Sequence, residues 1–108
     1  MANRFDADAH AVMALGDCRE SLKAVPDVTM ELVITSPPYN IGKNYEVPTH
    51  LDKYLPALNP IVDALVRVLA QNGSLVWQVS NYVDNGEIAP LDILFYHVFK
   101  SSSIKLRN

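Results

Sequence analysis

The sequence predicts an α/β fold, a mostly parallel sheet with flanking helices, and three observations carry that prediction. Leu32-Val33-Ile34-Thr35 is an unbroken apolar and β-branched run without polar alternation. A strand covered on both faces has that pattern, and such strands belong to parallel sheets. Leu51, Tyr54, Leu55, Leu58, Ile61, Val62, Leu65, Val68 and Leu69 recur at steps of three and four, which is a helical stripe. Further strand-like and helix-like runs alternate with these two, an order that implies right-handed crossovers.

Taken in order, Ala11-Val12-Met13-Ala14-Leu15 reads as a short strand ending at Gly16-Asp17. Cys18 to Val25 reads as a short helix with Asp17 as its N-cap and Glu20 at the third helical position, close to a capping box. Pro26-Asp27 breaks it. The strand at Leu32–Thr35 follows and is stopped by Pro37-Pro38. The polar stretch after it, with Gly42 and Asn44, is too long for a tight turn and reads as a functional loop. Pro56 and Pro60 interrupt the helical stripe, so the main helix is expected from Pro60 to Ala70, with Asn59 as N-cap and a separate short turn before it. Asn72-Gly73 then ends that helix. Ser74 to Val79 is a third strand and Ser80 to Gly86 a polar loop. A last helix opens at Pro90 and buries Leu91, Leu94, Phe95, Val98 and Phe99. Ile104-Lys105-Leu106 looks like the start of a fourth strand, two residues before the sequence stops.

Composition narrows the class. Apolar residues make up 49% of 108, enough for a globular core and too many for a disordered tail. No apolar run approaches the roughly 20 residues of a membrane helix, and Met1 to His10 lacks the apolar segment of a signal peptide. A cytoplasmic protein with no membrane partner is expected. The single cysteine, Cys18, excludes an internal disulfide and reads as a small packed thiol. His10, His50 and His97 lack ligand spacing, so no metal site is expected. Trp77 reads as core. A net charge of −3 excludes holding nucleic acid by bulk positive charge, so any basic surface must be local or lie on chain outside these residues.

In open parallel sheets, ligands bind beyond the carboxyl ends of the strands. Gly16-Asp17, Ser36 to Asn40 and Ser80-Asn81-Tyr82 fall there and are expected to form one wall of a cleft. The middle cluster is the most specific. Ser36-Pro37-Pro38-Tyr39, directly after the strand Leu32-Val33-Ile34, resembles motif IV of the amino-methyltransferases that modify exocyclic amino groups of cytosine or adenine in DNA. The family pattern is Asp, Asn or Ser, then Pro-Pro, then an aromatic residue. Asn40-Ile41-Gly42-Lys43 and Tyr45-Glu46 also look like this family.

The chemistry explains the residue types. An exocyclic base amino group is a poor nucleophile because its lone pair is delocalised into the ring. Acceptors that hold its hydrogens out of plane localise that lone pair and offset positive charge as the methyl arrives. The resemblance implies that the Ser36 side chain and the Pro37 carbonyl are those acceptors, with Pro38 and Tyr39 completing the catalytic loop. Proline has no N–H, so the loop offers acceptors without competing donors, and the residue before each proline is held extended. Tyr39 would stack on a base flipped out of double-stranded DNA, with Asn40 and Asn81 beside it in the target-base pocket. Asp17 and Ser36 would face S-adenosyl-L-methionine, the methyl donor the resemblance implies. Asp17 is equally a sufficient helix N-cap, and Asn81-Tyr82 equally an ordinary polar loop.

The fold thus expected is a partial Rossmann-like methyltransferase fold in the order that places motif IV first. Residues 1–108 would be its N-terminal, target-base portion, truncated before the target-recognition region. The aromatic-x-Gly-x-Gly loop of the donor site is absent, because Gly16, Gly42, Gly73 and Gly86 are far apart. The expected function is restriction–modification DNA methylation, N4-cytosine favoured by the serine and N6-adenine next, with the isolated chain inactive. Two other readings stay open. One is an amino-nitrogen methyltransferase acting on RNA or protein. The other is an inert remnant that binds a partner, or itself, through an unpaired sheet edge.

Overall fold

The computed structural model describes residues 5–38 and 50–107. Helix α1 (Cys18–Ser21) runs into a 3-10 turn (Leu22–Ala24) and is followed by β1 (Met30–Thr35), α2 (Leu51–Val68) and β2 (Leu69–Trp77). A hairpin of β3 (Tyr82–Asp84) and β4 (Glu87–Ala89) comes next, then α3 (Leu91–Lys100). β1 pairs with β2, and β3 with β4. Ahead of β1, the Thr29 N–H donates to the Val68 carbonyl at 2.8 Å; past its end, the Gln78 N–H donates to the Thr35 carbonyl at 2.9 Å. Both strands therefore advance in the same direction, with α2 as the crossover between them, which is the α/β arrangement expected.

The chain divides into two compact units, Met1–Val33 with Pro60–Leu75 and Ile34–Asn59 with Val76–Asn108. In the first, Val62, Leu65 and Val68 of α2 are buried, Val68 completely. Arg67, on the same helix, donates to the carbonyls of Leu22 at 2.6 Å and Val25 at 2.9 Å, and to the Asp27 carboxylate at 2.5 Å. One guanidinium thus binds the Val25 carbonyl, just past the 3-10 turn, and shares the Leu22 carbonyl with the Val25 N–H, which donates to it at 3.0 Å. In the second unit Tyr54, Leu58, Leu91 and Phe95 are buried. Each fully buried side chain of this size contributes about 1.5 to 3 kcal/mol.

Several elements differ from the sequence expectation. α2 is one helix from Leu51 to Val68, continuous through Pro56 and Pro60 rather than starting at Pro60. Both prolines are exposed, so water can satisfy the carbonyls they leave unbonded. The buried stripe runs unbroken from Tyr54 to Val68, and its packing outweighs the ~3 kcal/mol that each interior proline costs. The helix also ends four residues before Asn72-Gly73, which lie inside β2. A side chain at Gly73 would place its Cβ 2.8 Å from the Met30 carbonyl oxygen and 3.0 Å from that of Ala70. Gly73 is there for a close backbone approach, not to end a helix.

The polar loop expected after β2 contains a hairpin instead. Tyr82 faces Ala89, Val83 faces Ile88 and Asp84 faces Glu87. Asn85 and Gly86 form its two-residue turn, at φ 50° and 81°, the positive values that favour Asn-Gly. Residues 11–15 and 104–106 are not strands. Met13, Leu15 and Leu106 are 76%, 83% and 71% exposed; among the described residues no strand pairs with either segment, and an unpaired strand has nothing to satisfy its backbone. β1 was expected to be covered on both faces, yet Leu32 and Ile34 are exposed. Cys18 is exposed rather than packed, because no residue of α1 is buried. α3 buries Leu91 and Phe95 and half-buries Leu94, Val98 and Phe99, as its periodicity predicts.

Candidate active site

The Ser36-Pro37-Pro38 segment leaves the carboxyl end of β1, where the sequence places the functional edge. Ser36 and Pro38 are exposed and Pro37 is buried. The carbonyls on both sides of the prolines are bound by donors of the same unit. Thr35 accepts from the Gln78 N–H just past β2 at 2.9 Å, and Pro38 accepts from the Tyr54 hydroxyl. Neither proline has an N–H. The segment is thus a short, stiff run rich in oxygen acceptors, with no backbone donor at either proline.

An aromatic cluster lies in the same unit. The Tyr54 ring meets Phe95 edge-on, with centroids 6.2 Å apart and planes at 82°. Trp77 packs on Phe95 at 5.1 Å and on Phe99 at 5.2 Å. Such contacts add about 0.5 to 1.5 kcal/mol each beyond burial. Trp77 is half-buried, close to its expected core role. Among the described residues its buried indole N–H meets no acceptor, a feature that folded proteins seldom keep.

The remaining site candidates are distributed as follows. Asn81 is exposed at the head of β3, in the unit that holds Ser36, Pro37 and Pro38. Tyr39 and Asn40 lie outside the described residues, as do Lys43, Tyr45 and Glu46. Asp17 belongs to the other unit. It is the N-cap of α1, accepting from the Arg19 N–H at 2.8 Å. The Arg19 guanidinium also grips it, through Nε at 2.9 and 3.0 Å and through a terminal nitrogen. Those side-chain bonds, and then the backbone one, pull the Asp17 carboxyl down to about 2. Glu20 does not close a capping box, since both its oxygens take the Lys23 ammonium, at 2.8 and 2.9 Å. Among the described residues no three His, Cys, Asp or Glu side chains are grouped to hold a metal ion.

Reasoning from the sequence missed Tyr54 and Arg67 as bonded residues. Tyr54 sits on the helical stripe, where it reads as one more core side chain. The signal was its type: packing alone needs no hydroxyl, and a buried tyrosine usually finds a partner. The hairpin carried a clearer signal, Asn85-Gly86 between two short β-prone runs.

Residues 30–108 match the model of the N6/N4 methyltransferase family, described as DNA methylase. The chain belongs to that family. The DNA methylase match begins at the first residue of β1, so α1 and Asp17 lie ahead of it. The chain is 43% identical over 94 residues to the type II methyltransferase M.BglII of Bacillus subtilis, covering 86% of this chain and 26% of that protein. It is 32% identical over 84 residues to M.ScaI of Streptomyces caespitosus, covering 75% and 27%. It is 32% identical over 75 residues to the DNA adenine methyltransferase YhdJ of Escherichia coli, covering 67% and 25%. The chain thus spans about a quarter of the length of the curated relatives it matches. Among solved structures it resembles TTHA0409 of Thermus thermophilus, assigned as a DNA modification methylase. The TM-score is 0.67 at 28% identity, over 82% of this chain and 38% of that one. The complex of TTHA0409 with S-adenosyl-L-methionine gives a TM-score of 0.66 at 27% identity, over 82% and 39%.

Proposed function

We propose that this chain is the target-base portion of an S-adenosyl-L-methionine-dependent DNA methyltransferase that modifies an exocyclic amino group, with N4 of cytosine favoured and N6 of adenine next. The Ser36-Pro37-Pro38 run at the carboxyl end of β1, bound at both flanks, is the observation that carries this reading. The Ser36 side chain and the Pro37 carbonyl accept the two amino hydrogens and hold the nitrogen lone pair out of conjugation. Tyr39 stacks on the flipped base, beside Asn40 and Asn81. S-adenosyl-L-methionine, when bound, supplies an electrophilic methyl group.

The donor set of these residues fits only an edge of that cofactor. Asp17 is the candidate for its adenosine end, and both oxygens of Asp17 are already bound by Arg19. No two of the four glycines are close enough in sequence for a Gly-x-Gly cradle. The isolated chain is accordingly inactive, and it self-associates through its unpaired sheet edge, where β1 also leaves Leu32 and Ile34 exposed. The names of the relatives, type II and adenine DNA methyltransferases, favour DNA in a restriction–modification setting.

The test joins this chain to the part of M.BglII that it does not match and assays transfer of labelled methyl from S-adenosyl-L-methionine to DNA. The chimera is expected to transfer, and the 108-residue chain alone is not. In the chimera, Ser36→Ala lowers the rate by about 100-fold, the usual loss when one preorganised polar contact to the reacting centre is removed. Chromatography of the digested DNA then identifies the product. Label in 5-methylcytosine, or robust transfer by the isolated chain, would sink the proposal.

A further inference from the structure

We infer that Tyr54 is a positioning residue whose hydroxyl, by binding the Pro38 carbonyl, sets the conformation of the Ser36-Pro37-Pro38 acceptor loop; its significance for base binding rests on the function proposed above. A proline pair creates a specific mechanical problem. With no N–H at 37 or 38, the proline pair has no backbone donor of its own. Its carbonyls are held by donors brought from elsewhere. At the near end that donor is the Gln78 N–H on the Thr35 carbonyl, 2.9 Å away. At the far end it is the Tyr54 hydroxyl on Pro38.

Tyr54 suits this task. Its ring is 6% exposed and braced edge-on by Phe95 at 6.2 Å, so it cannot swing. It stands in the first turns of an 18-residue helix, one turn before the buried Leu58. The hydroxyl is therefore delivered from a rigid element, the condition for holding a site to within a fraction of an ångström. Packing on Phe95 would be served equally by phenylalanine. The hydroxyl adds the bond to the loop, and a buried hydroxyl without a partner would be costly.

The experiment uses the 108-residue chain, labelled with 13C and 15N and observed by NMR. Tyr54→Phe keeps the ring and removes the donor. Its expected effects are an upfield move of the Pro38 carbonyl carbon and broadened Ser36 signals. Binding of deoxycytidine 5′-monophosphate is expected to weaken about fivefold, the loss that goes with one neutral hydrogen bond. Incorporation of 3-fluorotyrosine at position 54 keeps the shape and strengthens the donor, so the Pro38 carbonyl moves downfield and binding is retained. Leu58→Val, one turn along the helix, loses packing without losing the bond and leaves the Ser36 and Pro38 signals in place. Unchanged Ser36 and Pro38 signals in Tyr54→Phe, or the same changes in Leu58→Val, overturn the assignment. The nucleotide titration judges the functional reading separately. A wild-type chain whose loop signals respond to neither the cytidine nor the adenosine monophosphate counts against that reading, while the carbonyl signature still decides the role of Tyr54.

Discussion

Asp17 and Arg19 form an exposed pair whose consequence is readable by titration. The guanidinium holds the Asp17 carboxyl near 2, against an ordinary value of 3.8. A lowered carboxylate pKa favours the folded state above the ordinary value, and that contribution is lost as pH falls through the lowered one. The window is therefore about 4 down to about 2. Exposure makes the effect on stability small, so the measurement is the NMR titration of the Asp17 side chain. Arg19→Ala is expected to bring its midpoint back towards 3.8 without unfolding the chain. The N-cap role was legible in the sequence, because an Asp ahead of a helical run at a Gly-Asp turn has a mechanism. The grip of Arg19 two residues on was not, since it depends on a rotamer. Ser36 and the two prolines were legible for a similar reason: residue types alone forecast a stiff, donor-poor loop. That Tyr54 binds it was not, because the bond joins positions 16 apart in sequence.

At the scale of elements, the contact between β1 and β2 makes the sharpest demand on a single residue. Gly73 leaves no room for a Cβ between the Met30 and Ala70 carbonyls and the Leu69 side chain. Two of those three neighbours are backbone and cannot move cheaply. Gly73→Ala is expected to destabilise the fold by about 1 to 3 kcal/mol, the usual cost of overpacking, measured by urea unfolding. The sequence reading placed this glycine at a helix end, because Asn-Gly after a helical stripe is ordinarily a C-cap. It missed that the helix gives way to strand at Leu69. Local signals also misplaced the start of α2. Two prolines normally end a helix, yet a continuous buried face kept this one intact.

On the scale of the molecule, the open face of β1 is the feature with consequences in solution. Ile34 is 69% exposed and Leu32 56%, in a strand whose composition suits burial. Apolar strand surface left open favours association. The isolated chain is expected to elute in size-exclusion chromatography with an apparent mass that rises with concentration. Ile34→Lys is expected to shift it towards monomer, since a charge on the open face opposes such pairing. A concentration-independent monomer for the unmodified chain would refute self-association. Among the described residues no helix is long and apolar enough to cross a membrane, so this apolar surface is not part of such a helix.

By itself, the sequence determined the α/β class, the strand that ends in Ser36-Pro37-Pro38, the amphipathic face of α2 and the family. Each rests on a local pattern: a β-branched run, a three-and-four period, or a loop whose residue types leave few conformations. Only the tertiary structure decided that α2 runs through both prolines, that Gly73 lies within a strand and that residues 11–15 and 104–106 are not strands. It alone placed the Tyr54 hydroxyl on the Pro38 carbonyl. These are outcomes of packing and pairing between distant segments, where burial of a whole face or the presence of a neighbouring strand outweighs local propensity.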